Sequence, residues 1–89
     1  MKPTYDEMKA VRISSKASAL EYVGKGIWYL CEADIDTSGR GYYFPRFMEV
    51  DEVVGKEFHN KHDGSYVLYR DIRRIKVLPQ ISQAKESSK

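Results

Sequence analysis

Ten consecutive residues, Gly26 to Ile35 (GIWYLCEADI), constrain this chain more than any other stretch. Ile27, Tyr29, Cys31, Ala33 and Ile35 alternate with Trp28, Leu30, Glu32 and Asp34, the period of two expected of a strand with one face on a core. The first set is the core set. The spacing predicts a long strand here, with Trp28 and Leu30 on the opposite face.

The stretch that follows raises a chemical question. Asp34-x-Asp36-x-Ser38-Gly39 resembles the start of a helix-flanked calcium loop, which needs a glycine at its sixth position and a bidentate glutamate at its twelfth. Counting from Asp34, the sixth residue is Gly39 but the twelfth is Pro45. The closing ligand is missing, and the flanks are rich in the aromatic and branched residues of strands. ADIDTSGRGYYF therefore reads as a hairpin turn, with YYFPRFMEV as the partner strand. Pro45 restricts its position to an edge or a bulge.

The rest of the chain reads as short strands and turns. VRIS (11–14) alternates as a strand, and SKASALEYVGKG connects it to the long one, with Ala17, Leu20 and Tyr22 as candidates to pin a loop or helical turn to the core. MEVDEVVGKEF reads as an acidic connection into a short strand. Asp63-Gly64 is placed as a tight turn, making residues 56–69 a hairpin with SYVLY as its second strand. RDIRR forms about one helical turn with Ile72 and Ile75 on one side, and IKVLP closes as a last strand. Residues 1–9 form a polar arm allowing at most a short helical turn, and 80–89 a disordered polar tail after Pro79.

An 89-residue chain with 42% hydrophobic and 31% charged residues is expected to form one small folded domain. Its one cysteine excludes an internal disulfide. No apolar run suggests a signal peptide or a membrane span, so the expectation is a cytoplasmic protein without membrane contact. The net charge of +2 selects no partner. The charges are nonetheless segregated: Glu32, Asp34, Asp36, Glu49, Asp51, Glu52 and Glu57 against Arg70, Arg73, Arg74 and Lys76.

The order strand, long loop, long hairpin, short hairpin, helical turn, closing strand over residues 10–79 resembles an SH3-like barrel of five to six antiparallel strands. GSYVLYRDIRRIKVLP resembles the end of that fold, where a strand passes through a 3-10 turn into the last strand. The pattern is similar to small SH3-like proteins of phage and prophage genomes, which implies a mainly β fold and a role as a phage-type regulator of a host or phage protein. The chain departs from signalling SH3 domains. It lacks their acidic ALYDY-like loop and paired tryptophans, which argues against a proline-rich peptide as ligand.

Few residues qualify for catalysis or metal binding. Cys31 lies on the inward face of its strand, where a thiol acts as a small hydrophobe. His59-x-x-His62 with Asp63 has zinc-like spacing but too few ligands for a stable site. No nucleotide-binding glycine motif or nucleophile elbow occurs. The expectation is a non-enzymatic protein with no cofactor and no metal. An enzyme would require Cys31 to be exposed near His59 and His62.

Aromatic residues are in excess, with seven Tyr, three Phe and one Trp. Trp28 and Leu30, facing outward, and the YYFPRF strand across the hairpin suggest an exposed patch for a protein partner, formed by Trp28, Leu30, Tyr42, Phe44 and Arg46. The competing reading is that the 15–26 loop folds over this face. An aromatic cage for methylated lysine needs convergent rings, which a sequence does not show. The alternative function is nucleic-acid binding through Arg70, Arg73, Arg74 and Lys76 with surface tyrosines, in which Arg40, Arg46, Tyr42 and Tyr43 interleave charge with stacking surface.

Overall fold

The structure, a computed structural model, describes residues 2–38 and 43–78, the side chains of 36–38 excepted. Among these residues, six strands form one antiparallel sheet. They are β1 (Lys9–Ala10), β2 (Gly26–Cys31), β3 (Arg46–Val54), β4 (Glu57–Asn60), β5 (Tyr66–Leu68) and β6 (Ile72–Val77), in the order β1-β6-β2-β3-β4-β5. Two short helices, α1 (Lys16–Leu20) and α2 (Glu32–Ser38), and 3-10 turns at Tyr5–Glu7 and Tyr69–Asp71 complete the chain. The sheet is open. Its outer strands, β1 and β5, do not pair with each other, so the expectation of a mainly β domain holds while the closed barrel is not formed by strand pairing.

The core is a single cluster built around Ile13, Ile27, Tyr29, Met48, Val50, Phe58, Tyr69, Ile72 and Ile75, with Phe58 edge-on to Tyr22 and tilted against Tyr69. Two bulges let the sequence deliver these residues. In β6 the ladder steps from Leu30↔Arg74 to Cys31↔Ile72, leaving Arg73 as an extra residue. Strict alternation would put Ile72 and Ile75, three apart, on opposite faces; the extra residue brings both inward. In β3 the register steps from Val50↔Asn60 to Glu52↔His59, so Asp51 is the extra residue and Val53 follows Met48 and Val50 onto the core side. What reads as an acidic connection is thus the second half of a nine-residue strand. Gly55, with φ of +62°, leads the two-residue turn into β4, the glycine-first arrangement of a type II′ hairpin.

The predicted long strand ends early. At Cys31 the chain turns into α2, where the Asp34 carboxylate accepts the Cys31 backbone N–H at 2.8 Å. Glu32 and Asp34 in the first turn suit the positive end of a helix, and the alternation through Ala33 and Ile35 is compatible with either structure. The partner strand begins at Arg46, after the buried Pro45, rather than at Tyr42. Residues 39–42, the centre of the predicted hairpin turn, and the tail from 79 lie outside the described residues.

Elsewhere the segments follow expectation more closely. The hairpin of residues 56–69 is present, and Gly64 has a φ of +73°. In its turn the Asp63 carboxylate accepts both the backbone N–H and the hydroxyl of Ser65, which hold its pKa below the usual range. The helical turn before the last strand falls at Tyr69–Asp71, one step earlier than RDIRR suggests. VRIS is not a paired strand: β1 precedes it, though the Val11 N–H still donates to the Arg73 carbonyl and Ile13 remains in the core. In α1, capped by the Ser15 side chain, Ala19 is buried whereas Ala17 and Leu20 are exposed, and in the turn that follows Tyr22 packs on the core. Three residues apart, Ala19 and Tyr22 share a face of the turn.

The N-terminal arm is part of the fold. Met8 and Leu30 are the buried hydrophobics outside the main cluster, at 1% and 0% exposure, and Pro3 is buried too. Replacing Met8 by Ala is therefore expected to cost about 2–5 kcal/mol, the range for emptying a buried methionine site. A urea midpoint unchanged by this substitution would show the arm to be dispensable.

Candidate binding surfaces

The outer face of the sheet follows from the register. Trp28 in β2 lies between Lys76 of β6 and Phe47 of β3, and Leu30, two residues on, lies opposite Arg74. Over the Leu30 end runs the N-terminal arm. Arg74 donates to the Met8 carbonyl at 2.6 Å, its guanidinium stands 4.1 Å from the Tyr5 ring centroid, and Tyr5 stacks on Tyr43 at 4.5 Å. Leu30 is buried and is withdrawn from the predicted contact face. Arg74 thus brings the arm to the Leu30 end of the sheet, whereas α1 of the 15–26 segment packs against β3 and sends Ala19 into the main core.

The Trp28 end stays open. Trp28 is half-buried and tilted against Phe47 at 5.2 Å, and Phe47 is 41% exposed. Gly26 makes room for this pair: a Cβ there would meet the Phe47 ring at 3.1 Å and Leu78 at 3.4 Å. The open patch is thus Trp28, Phe47 and Leu78, rimmed by Lys76 and by Glu49, which pairs with Gly26 in the ladder and engages His62. Phe44 is 70% exposed and lines a shallow apolar depression with Pro3, Tyr5, Tyr43 and Pro45.

Arg46 does not join this face. The register sets it opposite Tyr29, on the core side of the sheet, where its guanidinium lies 5.3 Å from the Tyr29 ring and 2.9 Å from the Asp34 carboxylate. Its side chain remains about half exposed there, at 53%. Of the five residues predicted for a partner, Phe44 is exposed and Trp28 half-buried on the surface, Leu30 is buried, Arg46 is exposed but ion-paired with Asp34 on the other side of the sheet, and Tyr42 lies outside the described residues, as does Arg40. Phe47 was missed because a strand starting at Tyr42 places Phe44 and Arg46 together and hides the Trp28↔Phe47 pairing.

The basic segment divides likewise. The Arg73 guanidinium binds Glu32 at 2.9 Å and donates to the carbonyls of Arg70 and Ile72, and Arg74 is held by the N-terminal arm. Lys76 belongs to the outer face beside Trp28. Arg70 instead borders a cleft of ≈ 350 Å³ lined by Arg12, Ile13, Ser14, Lys56, Leu68, Asp71 and Arg73. Two backbone hydrogen bonds assemble it: Val11 N–H to the Arg73 carbonyl at 2.9 Å, and Tyr69 N–H to the Lys56 carbonyl at 3.1 Å. Arg12 and Lys56 escape a sequence reading, since each is an isolated cation far along the chain from Arg70.

Cys31 is buried, and burial pushes its thiol up to about 11. His59 contacts Glu57 at 3.0 Å and stacks on Tyr66, while His62 engages Glu49. Among the described residues, no group of three or more His, Cys, Asp or Glu is arranged to hold a metal ion, and no helix is long and apolar enough to cross a membrane. The chain matches no protein-family model, and neither the curated proteins nor the solved structures contain a match to it.

A thiol whose pKa lies well above neutrality is protonated and unreactive at pH 7–8. Cys31 is accordingly expected to resist a disulfide reagent in the native protein and to react at once in urea. Rapid labelling without denaturant would contradict the burial described above.

Proposed function

We propose that the protein is a non-enzymatic, SH3-like binding module that works in the cytoplasm by holding a protein partner, in the manner of a phage-type regulator of a host or phage protein. The SH3-like reading is supported by the 3-10 turn entering the last strand and by that strand's place between β1 and β2. The observation that carries the binding reading is the Trp28–Phe47 pair on the open half of the outer face. Large rings that remain partly exposed within a rim of charge are typical anchors of protein interfaces, with the charges setting orientation and encounter rate. A non-catalytic role is supported by the burial of Cys31 and the engagement of both histidines with glutamates. The nucleic-acid reading drawn on Arg70, Arg73, Arg74 and Lys76 finds less support, because two of the four are occupied within the fold and the other two border different surfaces.

The test is capture of a protein from lysate by the tagged chain, followed by amide NMR mapping of the captured partner on the labelled protein. Phe44→Ser alters a side chain that is 70% exposed and should leave the urea midpoint close to that of the parent, while Phe47→Ser, which also loses packing on Trp28, should lower stability by about 1 kcal/mol without unfolding the protein. Partner binding is expected to fall on the order of ten-fold or more with Phe47→Ser, as for loss of an aromatic anchor. Shift changes that avoid residues 26–28, 47 and 76–78 would refute the assignment of this face.

A further inference from the structure

We infer that the cleft between the 11–14 segment, the β3–β4 turn and the Tyr69–Asp71 turn is a binding site for a phosphate monoester. Among the described residues, four cationic side chains, Arg12, Lys56, Arg70 and Arg73, line it with one carboxylate, Asp71. Arg73 is already oriented by Glu32 and by the carbonyls of Arg70 and Ile72. Arg12, Lys56 and Arg70 are exposed and form no ion pair among the described residues. Three such cations lining one concavity give it a positive potential, which an entering anion lowers. Guanidinium groups in particular match phosphate oxygens with paired N–H donors, and the Ser14 hydroxyl adds another donor.

The shape of the site narrows the ligand. At ≈ 350 Å³ the cleft reaches the size of small-molecule pockets, which begin at about 300 Å³, so it has room for more than the anion. Leu68, 43% exposed, and the buried Ile13 supply apolar wall for an attached organic body. A nucleic-acid backbone would need the positive charge to continue along a track, and within the described part of RDIRRIK it does not: Arg74 is engaged by the N-terminal arm and Lys76 lies beside Trp28 on the outer face. A surplus of positive charge gathered in one place favours a terminal phosphate, which carries nearly two negative charges at neutral pH, over a singly charged diester.

Amide NMR titrations at constant ionic strength test this with inorganic phosphate, adenosine 5′-monophosphate, adenosine, and an oligothymidylate lacking terminal phosphate. Saturable shifts at residues 12–14, 56 and 68–73 are expected with the first two probes and not with adenosine. In the R12A/K56A/R70A variant, whose exposed substitutions leave the urea midpoint unchanged, affinity should fall on the order of ten-fold per charge removed. Shifts scattered over the surface, equal binding by the variant, or binding of the oligothymidylate as tight as that of the monophosphate would each overturn the proposal. The readout residues are distinct from Trp28 and Phe47, so failure here leaves the protein-binding reading of the outer face standing.

Discussion

The step in the ladder between β2 and β6 organises the molecule. At the Arg73 bulge the strand keeps its pairing with β2 while changing which residues face inward, so Ile72 and Ile75 both reach the core beside Tyr29 and Ile27. On its other side β6 pairs with β1, and the Val11 N–H, continuing that register, donates to the Arg73 carbonyl before Ile13 enters the core. A bulge bends and twists its strand as well as shifting its face. One inserted residue thus brings Ile72 and Ile75 into the same core, and it is itself Arg73, which lines the basic cleft.

Burial on the outer face is divided by the N-terminal arm. Arg74 serves as its anchor, giving a hydrogen bond to Met8 and a cation to the Tyr5 ring, at the end of the sheet where Leu30 is buried. The arm's cover does not extend to Trp28 and Phe47, which are left packed on each other and partly open. An aromatic pair retained in this position is exposed by the geometry of its neighbours, since nothing in the local sequence distinguishes Trp28 from Leu30. Charge is distributed by the same geometry: residues adjacent in RDIRRIK are parted onto a cleft, an ion pair with Glu32, the arm and the outer face.

Much of the fold was legible in advance. Ile27, Tyr29 and Cys31 alternate into the core as their spacing requires, Asp63-Gly64 lies in the loop of its hairpin, although that loop runs from Lys61 to Gly64 rather than as a two-residue turn, and the 3-10 turn precedes the closing strand. The misreadings have specific causes. Alternation through EADI satisfied a strand pattern, yet the Asp34 carboxylate captures the Cys31 N–H and starts a helix. The acidic run around Asp51 hid a strand because a bulge there places the charges outward without ending the pairing.

The sequence by itself determined that this is a small, mainly β domain, because period-two alternation, turn residues and a single cysteine act locally and leave few other ways to bury its aliphatic and aromatic side chains. It also marked Trp28 and Phe44 as aromatic surface candidates. Only the tertiary structure decided that Leu30 is buried, that Arg46 lies over Tyr29 on the other side of the sheet, that Phe47 stands across from Trp28, and that Arg12 and Lys56 line one cleft with Arg70. Each of these depends on which distant segments are brought together, through strand register and two bulges, and a register shifted by one residue would exchange the faces altogether.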